Sequence, residues 1–296
     1  TKYTQLIGDD EFYIKSAVIS SIKELEKDES LISCTGCCLK FVVDKKDRKI
    51  YSRYVYPRLY NNYKYTKHED SKKRLNLFMK NYQPYPIYAI TRSYIWKKTF
   101  ELINNTKRFN FWSSDEIQIN MYLVYFGKSK VISELLWLRS EGENLNIRDT
   151  NYDLTESNIF FDEWWNSNKS EKIEFIDKMS KAFSKINYKK NFNYMNDVIS
   201  SCENFLIGGA GKWEQTRMNY IKDEKGILVF YLFLIVNFIK KKVPKKIKNF
   251  IKSLKIWKKT QNLLLEGAVS LKKKGIKVDH QKLSEIQKII ENFHFK

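Results

Sequence analysis

Tyr3-Thr4-Gln5-Leu6-Ile7-Gly8-Asp9-Asp10-Glu11 is the stretch that decides how this chain is read. Tyr3 to Ile7 alternates as a short strand does, and Gly8 allows a turn that sets three carboxylates in a row at the strand's C-terminal edge. Two readings follow. The acids could cap the next helix, where its dipole favours negative charge. Alternatively they could hold a divalent cation, since Mg²⁺ and Mn²⁺ prefer oxygen ligands.

Outward from that turn, strands and helices alternate up to about Leu138, as an α/β layer fold requires. Phe12, Ile14, Val18, Ile19, Ile22 and Leu25 mark a helix. Leu31 to Val43 is small and β-branched, and with Lys49 to Tyr56 it predicts a hairpin-like strand pair. A polar, Tyr-rich loop is expected over Pro57 to Lys73, followed by a helix on Leu75, Leu77, Phe78 and Tyr82 that ends at Pro84 and Pro86. Ile87 to Thr91 reads as a strand and Tyr94 to Ile103 as a helix. Ser113-Ser114-Asp115-Glu116 then opens a helix with Ser114 as its cap, running to Gly127. Lys130 to Leu138 reads as a strand buried on both faces. After Asn144 the pattern changes: Ile159 to Trp165 is an aromatic cluster, and from Glu171 the periodicity is helical. The expected division is therefore 1–150 and 151–296.

A chain of 296 residues with 43% hydrophobic residues can bury a sizeable core and is not a disordered chain. Cys34, Cys37, Cys38 and Cys202 are too few for a disulfide framework, which favours a reducing compartment. Cys34-Thr35-Gly36-Cys37 has the C-x-x-C form but lacks a second pair. It reads as small residues of a buried strand rather than a zinc or redox site. The net charge is +20, and ten lysines with no acid lie within Lys240–Lys259 alone, so half of the excess sits in one local surface. Such a surface implies an anionic partner.

Asp115-Glu116 is the second acidic pair. Acids in a helix's first turn are commonplace, yet a carboxylate there could also take a proton from an acceptor hydroxyl. The order is acidic strand end, helix, strand pair, loop, strand, acidic helix start, Gly127 and strand. It resembles the family 2 glycosyltransferases, of nucleotide-diphospho-sugar transferase (GT-A) fold. Phe111-Trp112-Ser113-Ser114-Asp115-Glu116 through Gly127-Lys128-Ser129-Lys130-Val131 is similar to that family's base helix and the strand after it. Leu136-Trp137-Leu138-Arg139-Ser140-Glu141 is similar to the ending seen in a bacterial branch. The resemblance covers about residues 3 to 150.

It implies a mixed-sheet α/β domain that transfers a sugar from a nucleotide-sugar donor to a glycan or lipid-linked acceptor, in surface polysaccharide synthesis. Asp9, Asp10 and Glu11 would hold Mg²⁺ or Mn²⁺ with the donor diphosphate, and Asp115 or Glu116 would be the base. Arg139 would either contact diphosphate or pair with Glu141. Tyr85, Tyr88, Arg92 and Trp96 fall where an acceptor would bind, or serve as core. Glu11 stands where Asp is more usual, and Asp115-Glu116 reverses the common order. In that family the first nucleotide-binding strands would precede Tyr3, so a partial catalytic domain that lacks them, truncated at its N-terminus, is the expectation.

Gly226 to Ile239 is apolar but too short to span a bilayer, which needs about 20 residues. Beyond Pro244, Ile247, Phe250, Ile251, Leu254 and Trp257 share one face of a basic amphipathic helix. Segment 226–259 therefore suits an anionic membrane surface, and a peripheral place at the cytoplasmic face of the cell membrane is expected. A lysine face packed on the globular body is the other reading. Nucleic acid is not an expected partner, because no zinc ligands, RNA-binding signature or helix-turn-helix spacing accompanies the charge. The rival classes are a basic nucleic-acid or membrane-surface binding protein and an inactive remnant.

Overall fold

The computed structural model describes residues 1–54, 67–104, 109–111, 113–140, 159–187, 192–208 and 262–295. Trp112, Glu141, the 150/151 boundary and the whole of 226–259 lie outside them.

The fold is α/β, with a curled mixed sheet. Its spine is the strand Leu31–Asp44 (β3), which runs parallel to Lys128–Ser140 (β6) along most of its length. The opposite edge of β3 is shared by two antiparallel partners. Ile90–Arg92 (β5) pairs at Ser33–Cys34, and Lys49–Tyr54 (β4) pairs from Leu39 to Asp44. Tyr3–Thr4 (β1) adds to β5, while Phe12–Tyr13 (β2) adds to β6. Residues 5–11 thus carry the chain from one side of the sheet to the other, and the acidic turn sits on that crossing.

The small residues of β3 explain its central place. Leu31 through Leu39 are all buried, so the strand is covered on both faces. Gly36 lies at a shift of register against β6, where an added Cβ would come within 2.6 Å of the Glu134 carbonyl oxygen. The C-x-x-C cysteines belong to this strand. Their two thiols and that of the adjacent Cys38 are free and buried, and burial pushes Cys34 and Cys37 up to about 12, which leaves them un-ionised and inert at neutral pH.

Helix α1 (Lys15–Lys27) begins only after β2, a strand where helical spacing had been expected from Phe12. Asp70 caps α2 (Ser71–Lys80) by accepting from the Lys73 amide at 2.7 Å. The strand expected at 87–91 is shorter: Pro86–Tyr88 form a 3₁₀ turn, because Pro86 fixes a helical φ, and only Ile90–Arg92 pair. Helices α3 (Ser93–Asn104) and α4 (Ser114–Phe126) follow. Helix α4 is buried around most of its circumference, which makes it the central helix of the layer.

Helix α7 (Tyr194–Ile207) packs against α2, helix α6 (Lys169–Ile186) against α4, and the short α5 (Phe161–Ser167) against α6 and α7, so the three do not form a body of their own. Phe161, Trp164 and Phe175 close edge-on or tilted around Phe111. At the end of α7, Gly208 passes so close to α2 that a Cβ would overlap the Lys80 carbonyl. The strand Asn262–Leu263 (β7) joins β4, and α8 (Leu264–Lys273) lies over it. Lys277 then bridges β6, accepting from the Leu135 amide at 2.9 Å and donating to the Ser133 carbonyl at 2.8 Å. The last helix, α9 (His280–His294), is fixed at its start by Ser16, whose hydroxyl donates to Asp279 at 3.0 Å. One continuous apolar core contains Leu25, Trp137, Phe175, Leu264 and Ile290, so the expected division near residue 150 does not divide the core. Among the described residues no helix is long and apolar enough to cross a membrane.

Candidate functional site

The turn Asp9–Asp10 does not cap a helix. Helix α1 starts at Lys15, has no acid in its first turn and receives no side-chain cap, so the capping reading of Asp9-Asp10-Glu11 fails. The three carboxylates diverge. Asp9 and Asp10 are exposed, whereas Glu11 turns inward and its side chain is only 4% exposed. Glu11 accepts from the Gly8 amide at 3.2 Å and pairs with Arg139 Nε at 3.3 Å. Burial raises its pKa above the usual carboxylate range. The Gly8 amide and Arg139 act against that rise, and Asp10 adds to it.

Arg139 comes from the last turn-ward residues of β6, in register with Lys40 of β3. Its guanidinium lies 5.0 Å from the centre of the Tyr88 ring. Tyr88 rests on Trp137 at 5.5 Å, and Tyr13 stacks on the same indole at 6.2 Å. The Tyr13 hydroxyl bridges the carbonyls of Leu6 and Tyr88 at 3.2 and 3.1 Å. An aromatic floor thus ties the crossing segment to the 3₁₀ turn and sets the arginine above it.

The second acidic pair arrives on α4. Ser113, not Ser114, takes the cap position, with a left-handed φ of 58° and no side-chain cap bond. Ser114 is already helical. Its hydroxyl accepts from the Phe109 amide at 3.2 Å and from Gln118 at 3.1 Å, which fastens the preceding loop. Consecutive helical residues point about 100° apart, so Asp115 and Glu116 cannot share a face. Asp115 is exposed and Glu116 is half-buried.

Glu116 Oε1 accepts from the Tyr82 hydroxyl at 3.2 Å. Asn120, one turn along α4, donates to Tyr82 at 3.2 Å and to the Glu116 carbonyl at 2.8 Å, and it accepts from the Ile87 amide at 3.2 Å. Desolvation raises the Glu116 pKa, against the lowering effects of the Tyr82 hydroxyl and of Arg139. Arg139 therefore acts on both Glu11 and Glu116, and both carboxylates in turn act on Tyr88. Glu11 thus pairs directly with the guanidinium, and Glu116, about a hundred residues later in sequence, lies within its electrostatic reach.

The other expected contacts lie elsewhere. Arg92 is buried, and its guanidinium donates to the carbonyls of Leu31 (2.8 Å), Leu25 (2.6 Å) and Asp28 (3.3 Å). It closes the C-terminus of α1 and the start of β3, a structural task that leaves no face toward the site. Trp96 is core, packed with Ile32, Ile87 and Leu123 in a smaller cluster. Tyr85 is also buried, edge-on to Phe78. Tyr82, Asn120 and Tyr13 were not among the expected site residues. The spacing of Glu116 and Asn120 by four was a usable signal, but nothing local marks Tyr82 or Tyr13.

Among the described residues, no three His, Cys, Asp or Glu side chains are grouped as a metal site. Glu11, expected as a ligand, is instead engaged by Arg139. Asp9 and Asp10 remain exposed at the turn, and one or two carboxylates suffice for Mg²⁺ or Mn²⁺ when phosphate and water complete the shell. No protein-family model matches the chain, and comparison with curated proteins and with solved structures returns no match either.

Proposed function

We propose that the chain carries the acidic half of a glycosyl-transfer site, moving a sugar from a nucleotide-sugar donor to an acceptor hydroxyl. The observation that carries this reading is the pairing of inward-turned Glu11 with Arg139 beside an exposed Asp9–Asp10 turn, with the half-buried Glu116 held by Tyr82 within electrostatic reach of the same arginine. Such transfer needs one group to take a proton from the acceptor and others to stabilise the departing diphosphate.

Glu116 is the base in this reading. Its half-buried position raises its proton affinity, and Tyr82 with Asn120 fixes the carboxylate's direction. Asp115, exposed on another face of α4, is the helix-dipole acid and not the base. Arg139, oriented by Glu11 and the Tyr88 ring, supports negative charge on the leaving group. A Mg²⁺ or Mn²⁺ ion on Asp9 and Asp10 would supply the remaining neutralisation of the diphosphate. The cytoplasmic face of the membrane remains the proposed location, on the lysine content of 240–259.

The test is nucleoside diphosphate release from a panel of nucleotide sugars, with Mn²⁺ or Mg²⁺ and with mixed saccharide acceptors. Wild type and Asp115→Asn should turn over, and Glu116→Gln should lose activity by about 10²–10⁴-fold while remaining folded. Equal rates for the two variants would remove Glu116 from the chemistry. Release that is indifferent to metal removal by chelation would remove Asp9 and Asp10.

A further inference from the structure

A cavity of about 460 Å³ opens beside the acidic turn, between the sheet and α9. Its volume is within the range of small-molecule sites, roughly 300–1,000 Å³. Phe12, Phe41 and Val43 form one wall, and Ile289, Ile290 and Phe293 form the other. Asp9 and Asp10 are the acids on its rim. Ile289 and Phe293 stand one turn apart on α9 and are 55% and 81% exposed. Large apolar side chains that border a cavity and remain uncovered mark a surface awaiting an apolar partner. The same turn that supplies the rim continues directly into Glu11, the partner of Arg139.

The cavity is therefore apolar in its body, with Ser140, His294 and the two carboxylates as its polar lining. That polarity fits a molecule with a hydrocarbon or aryl body and a hydroxyl-bearing head, whose hydroxyl groups can bond to Ser140 and His294 and, where no metal is bound, to the two carboxylates. Anionic amphiphiles would meet like charge at Asp9 and Asp10.

From this we infer that the cavity takes the apolar aglycone of the acceptor, so that the acceptor is a saccharide carrying a lipid or aryl group rather than a free glycan. This rests on the transferase reading for the word acceptor, but the binding itself does not.

Alkyl glucosides of six, eight and ten carbons, kept below micelle formation, test it by displacing N-phenyl-1-naphthylamine, a neutral probe that the protein's positive charge does not attract. Affinity should rise by about fourfold for each methylene that enters the cavity. The double variant Ile289→Ser/Phe293→Ser should abolish that dependence. Both positions are exposed, so the fold should survive, which thermal unfolding checks. Val269→Ser on α8, an apolar site that is 46% exposed and does not line the cavity, should bind as wild type does. Chain-length dependence that persists in the double variant, or falls as much in Val269→Ser, would overturn the cavity as the site. So would affinity that ignores chain length. Binding that behaves as expected, with no turnover of any nucleotide sugar, would leave the cavity standing and sink the transferase reading alone.

Discussion

Arg92 and Arg139 both lie on strands of the same sheet, and both were candidate substrate contacts from sequence. They do opposite things. Arg92 spreads its donors over three backbone carbonyls at the end of α1 and is 9% exposed. Arg139 keeps 28% of its side chain exposed, pairs with the Glu11 carboxylate and lies against an aromatic ring. A guanidinium that satisfies carbonyls is holding the backbone together. One that pairs with a carboxylate in a partly open site is placed to meet another charge. The distinction separates stability from chemistry, and it can be broken by experiment.

The largest effect should come from Arg139→Gln. Loss of an oriented charge stabiliser is worth about 10²–10³ in turnover, whereas the cost in unfolding free energy should stay near 1–2 kcal/mol because Glu11 can take up a proton. Arg92→Gln should reverse the pattern. Stranding several buried carbonyls should cost about 3 kcal/mol in urea unfolding, with turnover per folded molecule nearly unchanged. If both variants lose stability and activity in the same proportion, the contrast between the two arginines is mistaken.

Tyr82→Phe should sharpen the picture on the Glu116 side. Removing the hydroxyl takes away a bond that lowers the Glu116 pKa, so the acidic limb of the rate profile should move to higher pH. A limb that stays in place would show that Tyr82 does not orient the base. The smallest effect is on stability. Glu116 has a raised pKa in the folded state, so the folded protein binds the proton more tightly than the unfolded chain does. Its contribution is fully present below the ordinary value of about 4.5 and is lost as pH rises through the folded-state value. Glu116→Gln should therefore gain stability relative to wild type as pH rises through that window, read by thermal unfolding across pH.

What could be read from sequence follows the range of the interactions. The strand pair Leu31–Asp44 and Lys49–Tyr54, the helix after Ser113 and the strand after Gly127 are written in local periodicity and turn chemistry, and they are present. The acidic turn was legible as a turn, but the inward rotation of Glu11 depends on Arg139, 128 positions later, which no local pattern encodes. Tyr82 looked like an apolar helix position because its ring packs edge-on against Phe78 and Phe205, while its hydroxyl reaches another helix. Arg92 stays open between two readings in sequence for a similar reason. An arginine after a short strand looks like a ligand contact until the helix end beneath it is placed. The return of the C-terminal helices to the sheet is also invisible in sequence, since it is made by contacts between residues more than two hundred positions apart, such as Tyr51 with Leu263 and Ser16 with Asp279.

That return has a consequence for how the protein is made. On its outer edge β6 is paired by Phe12–Tyr13 at Trp137–Leu138, and among the described residues Lys277 satisfies the neighbouring Ser133 carbonyl and Leu135 amide. Lys277 leaves the ribosome long after the strand it completes. Until then the middle of β6 presents open hydrogen-bonding groups, a template for pairing with another nascent chain. A chain ending before Lys277 would never close that edge, and its fate should be decided by chaperones and aggregation before any question of catalysis arises.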